Sequence, residues 1–266
     1  MQHYTDPNLV ILDASMKKRP NGEAIAEPQQ KIIGALAFNF DTEICDHSSA
    51  LPHMLPTAED FEQAVRALGI NQDSKIVVYD AMGIFSAPRA WWMFKIMGIR
   101  QVYVLNGGLP AWLEAKYPTQ ISYSEATYQG DVKVNFNPSG VYSAQQVLAT
   151  ITSKNRQILD ARSEARFYGK EPEPRKELKG GHIPTAQCLA FDKLLHQGAY
   201  RTTEQLKQAF AEVLISPQKP LLFSCGSGVT ACVLALAADE IGLQDYAVYD
   251  GSWSEWGGND TLPIAT

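Results

Sequence analysis

The chain has 266 residues, 45% of them hydrophobic and 20% charged, with a formal net charge of −6. That is the composition of a globular chain long enough for two domains. Its acidic balance, without a dense Lys/Arg stripe, argues against nucleic acid as a main partner, and no apolar run reaches the ~18–20 residues that span a bilayer.

The opening "MQHYTDPNLVILDAS" lacks the basic-then-apolar pattern of a secretory leader. "VILDAS" (10–15) reads as a first strand, and the basic run "KKRP" (17–20) as a solvated loop. "TAEDFEQAVRALGI" (57–70) reads as a helix capped by Thr57, with Asp60 in its first turn. "KIVVYD" (75–80) and "VYVLN" (102–106) read as further strands. A polar stretch, 115–140, with Pro118, Gly130, Pro138 and Gly140, reads as a linker lying along the surface. Beyond it, "QILDA" (157–161), "PLLFS" (220–224) and "YAVYD" (246–250) read as strands. They alternate with the helices "TTEQLKQAFAEVL" (202–214), capped by Thr202 or Thr203, and "VTACVLALAADEIG" (229–242), stopped near Gly242. This alternation predicts an α/β fold, with mostly parallel sheets covered on both faces.

The pieces recur in order. "VILDAS" returns as "QILDARS", "KIVVYDAMGIFSAPRAWWMF" (75–94) as "PLLFSCGSGVTACVLALAAD" (220–239), and "VYVLNGGLPAW" as "DYAVYDGSWSEW" (245–256), each about 145 residues on. A duplicated domain accounts for all three. One position breaks the symmetry: Cys225 in the second copy corresponds to Asp80 in the first. Thiol chemistry therefore belongs to the second half, leaving the first to supply walls or a partner residue.

The four cysteines (45, 188, 225, 232) form no CxxC and no metal-like pairing with His. No metal site is expected, and reduced thiols point to a cytoplasmic protein. Cys225 follows a strand and precedes a helix, the place where open α/β sheets hold ligands. Gly226, Ser227 and Gly228 carry so little side chain that their N–H groups could curl around one anion. The helix N-terminus adds partial positive charge, and both effects favour a thiolate. A Cys-based phosphatase would need an Arg six residues after its Cys, to hold phosphoryl oxygens in a bidentate grip. Position 231 is Ala, which disfavours that chemistry.

Taken together, "CGSGVT" (225–230), "GHIP" (181–184), "DGSWSEW" (250–256), "SAPRAWWMF" (86–94) and "PHMLP" (52–56) resemble the 3-mercaptopyruvate sulfurtransferases, two-domain members of the rhodanese superfamily. The resemblance runs over nearly the whole chain. It implies two tandem rhodanese-like domains, 1–118 without the catalytic Cys and 142–266 with it, joined by a linker at 119–141. It implies that sulfur passes from 3-mercaptopyruvate to Cys225 as a persulfide, and on to cyanide, thiols or thioredoxin, with no metal or organic cofactor. Gly226, Gly228, Val229 and Thr230 would line the sulfur loop, and Arg166 and Arg175 would clamp the substrate carboxylate and keto oxygen. Ser227 and His53 would relay the proton that turns enolate into pyruvate, supported by Glu43, with Asp41 and Asp46 as alternatives. Thiosulfate-using relatives carry basic residues after the Cys, where this chain has neutral Gly226 and Ser227. A thiosulfate:cyanide sulfurtransferase and a non-catalytic persulfide-carrying module are the alternatives. The chain departs from the family in reaching "NLVILDAS" almost at once, and in reading "KIIGALAF" where the second copy has "GHIPTAQCLAF".

Overall fold

The computed structural model describes residues 6, 8–216 and 218–266; residues 1–5, part of the stretch read for a leader, lie outside it. Each half folds as the alternating pattern dictates. The first contains β1 (Leu9–Asp13), β2 (Lys31–Ile32), β3 (Leu36–Ala37), α1 (Ala58–Ala67), β4 (Lys75–Tyr79), α2 (Ala87–Ile96), β5 (Val102–Val104), α3 (Gly108–Glu114) and β6 (Thr119–Gln120). The second contains β7 (Val141–Tyr142), α4 (Ala144–Ser153), β8 (Gln157–Asp160), α5 (Glu164–Phe167), β9 (Gln187–Cys188), β10 (Leu195–His196), β11 (Ala199–Tyr200), α6 (Thr203–Val213), β12 (Leu221–Ser224), α7 (Ala231–Glu240), β13 (Tyr246–Tyr249) and α8 (Ser252–Trp256).

The first sheet runs β3-β1-β4-β5 and the second β7-β13-β12-β8-β9, every pair parallel. The second copy thus has one strand more, β7, followed by α4, whose Ser143 and Gln146 form a capping box. Among the described residues the first copy has no counterpart to this strand and helix. The segment 119–141 does not hang free. β6 pairs antiparallel with β2, Val132 is buried, and Gly130 lies so close to the Ile70 backbone that a Cβ would sit 2.0 Å from its carbonyl oxygen.

The halves meet through α2 and α7. All ten residues of α2 but Lys95 are buried, and α7 is buried without a break from Ala231 to Ala238. Each helix covers its own sheet on one side and the other helix on the opposite side, so both are apolar on nearly every face, Arg89 and Lys95 of α2 and Asp239 and Glu240 at the end of α7 excepted. One hydrophobic core consequently runs from Leu12 and Val78 in the first half to Phe223 and Val248 in the second.

In the first copy, the turn after β4 is filled by its own anion. Asp80 Oδ2 accepts from the backbone N–H of Phe85, Ser86 and Ala87, and Oδ1 from that of Met82. The strand-to-helix turn is a cradle for negative charge in both copies, and here a carboxylate closes it.

Candidate active site

Cys225 stands where β12 ends, with Gly226 to Thr230 curling ahead of α7. Helix α7 begins at Ala231, two residues later than the apolar pattern places it, because Gly228 takes φ +74° and keeps the chain turning. Three peptide planes of this loop are anchored from behind. The Cys225 carbonyl accepts from Trp253 N (2.9 Å), and the Gly226 carbonyl accepts from Ser254 N (2.8 Å) and Ser254 Oγ (2.7 Å). The Gly228 carbonyl accepts from Arg89 Nη1 (3.2 Å) and Cys232 Sγ (3.3 Å). The peptides are trans, so each anchored carbonyl sends the following N–H the opposite way. The N–H groups of Gly226, Ser227 and Val229 therefore turn away from the scaffold. Among the described residues none of them donates to a protein acceptor. Free donors around an anion position, next to a helix N-terminus, make an anion nest.

A cleft of about 170 Å³ opens on this loop, walled by Met16, Pro20 and Phe85 of the first half and by Arg166, Arg175 and Phe191 of the second. The Cys225 thiol lies at its base, only 1% of the residue being exposed. Behind it, Ser252 Oγ accepts from Cys225 N at 3.1 Å and stands 3.9 Å from Cys225 Sγ. The other cysteines are unsuited to thiolate chemistry near neutral pH. Burial pushes the Cys232 thiol far up and that of Cys188 up to about 11, and burial with Asp41 and Asp46 nearby raises that of Cys45.

Gly228 is required for space and for its positive φ, whereas Gly226 faces only the end of a flexible side chain. A Cβ on Gly226 would lie 3.1 Å from Arg166 Nη2. One on Gly228 would lie 2.6 Å from the Asp250 carbonyl oxygen and 3.0 Å from Arg89 Nη1. A basic side chain at 226 would thus meet a guanidinium already in place.

The two candidate arginines differ in what they face. Arg166 is tied to Glu173, with Nε at 3.1 Å and Nη2 at 2.5 Å from Oε2. Glu173 is itself buried against Arg162, which also pairs with Asp160 and lies over the Trp253 ring. Arg175, by contrast, has no ion pair among the described residues, and burial is the main cause that pulls its pKa down, with Arg166 adding to it. It is a partly desolvated cation beside Cys225, with Glu177 acting on it through space but no carboxylate within ion-pair distance among the described residues.

The Ser227 hydroxyl has no protein partner among the described residues, and it does not hydrogen-bond to His53. His53 takes φ +63° and its Nδ1 is buried without a partner. Burial, with the positive charges of Arg89 and Arg175, holds its imidazole down at about 3. It is neutral around pH 7, the form that can accept a proton. None of the three acids is bonded to it. Glu43 is exposed and accepts from Asn39 Nδ2 (2.9 Å), Asp41 Oδ2 accepts from Lys17 N (3.0 Å), and Asp46 Oδ1 accepts from Ser48 N and Oγ. Glu43 is held away because the turn at 39–44 folds back on Asn39.

A pH effect follows from the His53 environment. The folded pKa lies below that of the unfolded chain, so between about pH 6.5 and 3 only the unfolded state carries this proton. Stability is therefore expected to fall as pH drops through that window, by up to about 1.4 kcal/mol per pH unit from this residue. Urea unfolding of wild type and His53→Asn at pH 7, 6 and 5 measures it. Equal slopes in the two proteins would remove His53 as the source.

Sequence reasoning missed Arg89, Asp250 and Ser254; a pairing of one candidate arginine with Glu171 or Glu173 was legible in the sequence, and Arg166 makes it with Glu173. The signal for Arg89 was a lone Arg inside the otherwise apolar "SAPRAWWMF".

Known proteins resemble the chain over nearly its whole length. The profile for the rhodanese-like domain matches residues 2–115 and 143–259. A 3-mercaptopyruvate sulfurtransferase of Escherichia coli strain K12 is 40% identical over 266 residues, covering 99% of this chain and 94% of that protein. A mitochondrial thiosulfate/3-mercaptopyruvate sulfurtransferase of Arabidopsis thaliana is 40% identical over 282 residues, covering 97% of this chain and 74% of that one. The crystal structure of SseA from Escherichia coli superposes with a TM-score of 0.84 at 38% identity, covering 95% of both chains.

Proposed function

The chain belongs to the rhodanese family, with one such domain in each half, and from that premise we propose that it is a 3-mercaptopyruvate sulfurtransferase working through Cys225. The observation that carries this reading is the unpaired Arg175 guanidinium beside a neutral sulfur nest. A small α-keto acid with one carboxylate fits that arrangement, because its charge meets Arg175 rather than the loop. Arg166, already shared with Glu173, has donors left to hold the keto oxygen. Residues 1–118 and 142–266 serve as the two domains and 119–141 as the strap between them.

The Cys225 thiolate attacks the sulfur of 3-mercaptopyruvate. A new S–S bond forms and the C–S bond breaks, with its electron pair leaving on the three-carbon fragment as an enolate. The proton that the donor thiol carried ends on that carbon, giving pyruvate, and Cys225 becomes a persulfide anion. We assign the movement of that proton to Ser227 and the neutral His53, which are not hydrogen-bonded to each other. Glu43, exposed and bonded to Asn39, is not required to keep the imidazole neutral. An acceptor nucleophile then takes the outer sulfur: cyanide gives thiocyanate, and a thiol, thioredoxin among them, gives a new persulfide. In both steps the nest faces one negative charge at one place, so it needs no rearrangement between them.

No helix among the described residues is long and apolar enough to cross a membrane. We place the enzyme in the cytoplasm, where its four free cysteines would stay reduced.

Steady-state kcat/KM with 3-mercaptopyruvate and with thiosulfate, cyanide being the acceptor for both, tests the reading. The expected result is a preference for mercaptopyruvate of at least about tenfold. A preference for thiosulfate would overturn the donor assignment, and turnover of neither would leave a persulfide-carrying module.

A further inference from the structure

We infer that Arg89, a residue of the non-catalytic domain, is a positioning residue that aims the sulfur nest from behind and fixes the backbone of His53. This rests on the reading of Cys225 as the sulfur carrier. Arg89 is fully buried in α2, and its guanidinium joins four groups from both halves. Nη1 bonds Asp250 Oδ1 at 2.6 Å and the Gly228 carbonyl at 3.2 Å, while Nη2 bonds the His53 carbonyl at 2.5 Å. Its flat face lies 4.7 Å from the Trp92 ring centre. Asp250 is held in turn, its Oδ2 accepting from Leu55 N at 2.8 Å, two residues beyond His53.

Packing alone does not explain this arrangement. A buried ion pair costs desolvation that an apolar pair of similar volume avoids, and α2 is otherwise apolar apart from Lys95. What the guanidinium adds is direction. Gripping the Gly228 carbonyl from the domain interface turns the Val229 N–H toward the cleft, and gripping the His53 carbonyl fixes the left-handed backbone from which the imidazole projects. One planar fork makes both grips at once, which a lysine ammonium cannot reproduce. The arrangement also gives the cysteine-free half a task. Without it, the last peptide of the nest has no cross-domain anchor.

The test uses the full chain carrying Arg89→Lys. In parallel it uses the double variant Arg89→Met with Asp250→Asn, which removes both buried charges and so avoids an orphaned carboxylate. Competent sites are counted by single-turnover pyruvate release, which divides out any misfolded fraction. Expected are a fall of about tenfold in kcat per competent site, a KM for 3-mercaptopyruvate within about twofold, and a comparable slowing of Cys225 alkylation by iodoacetamide. A residue that only packs would leave all three unchanged once misfolded chains are discounted, and that result overturns the inference. So does a raised KM at constant kcat, which would make Arg89 a substrate contact. If wild type turns over no mercaptopyruvate, the donor reading fails, while the alkylation comparison still decides the role of Arg89.

Discussion

Cys225→Ser is expected to abolish sulfur transfer to every acceptor, with neither pyruvate release nor thiocyanate formation above background. The substitution exchanges one small atom for another, and the contacts that shape the loop are made by the backbone. Trp253 N holds the Cys225 carbonyl and Ser252 Oγ receives its N–H, so the fold and its thermal midpoint should be retained. A serine hydroxyl cannot carry a sulfane sulfur, and no other thiol can take over. Cys232 is buried in α7 with its pKa far up, Cys188 is pushed to about 11, and Cys45 is raised as well. Mass spectrometry of wild type after donor treatment should show one added sulfur per chain, and Cys225→Ser none. Turnover near wild type in the variant would end the mechanism.

That result also bears on why the chain is double. Both copies build the same strand-to-helix turn: Asp80 fills it in one, and in the proposed mechanism the Cys225 sulfur fills it in the other. The carboxylate is a permanent occupant, satisfied by four N–H groups. In the proposed mechanism the sulfur anion is a temporary one, and the N–H groups of its loop have no protein acceptor among the described residues. A duplicated anion cradle has thus become a structural plug on one side and a reaction centre on the other. The plugged copy then contributes Met16, Pro20 and Phe85 to the cleft and Arg89 to the nest.

Much of this could be read from residues in order. The parallel sheets, the caps at Thr57 and Thr202, the duplication and the Asp80/Cys225 asymmetry all rest on local pattern, and the structure keeps them. What could not be read depends on burial between distant segments. Glu173 sits in "GKEPEPRKE", a run that looks solvated, yet it is nearly fully buried because Arg162 and Arg166 both converge on it. Arg89 reads as an interruption in an apolar helix until α7 and Asp250 arrive from the other half. The acid beside His53 was the least legible point. Three carboxylates lie within ten residues in sequence, and loop folding gives each of them a partner other than the imidazole.

Arg175→Ala is expected to raise KM for 3-mercaptopyruvate by about 10- to 150-fold, the range given by losing one charged hydrogen-bonded contact of about 1.5–3 kcal/mol. The corresponding change at Arg166 should cost less in binding, because Glu173 already neutralises part of its charge and would be left with Arg162. Arg175 has no such ion pair among the described residues, Glu177 and Glu173 acting on it only through space, so its donors remain for the substrate carboxylate. In Arg175→Lys the charge returns without the planar fork, and binding should recover only in part. Because the guanidinium lies beside Cys225 as well as the substrate, kcat should fall too, though less than KM rises, if its main work is to hold the carboxylate. Initial rates over a range of mercaptopyruvate with saturating cyanide separate the two effects. A KM unchanged in Arg175→Ala would take this residue out of the site and leave Arg166 to bind the carboxylate alone. That in turn would require Glu173 to release it when substrate arrives, since one guanidinium shared with a buried carboxylate cannot hold a second anion at full strength.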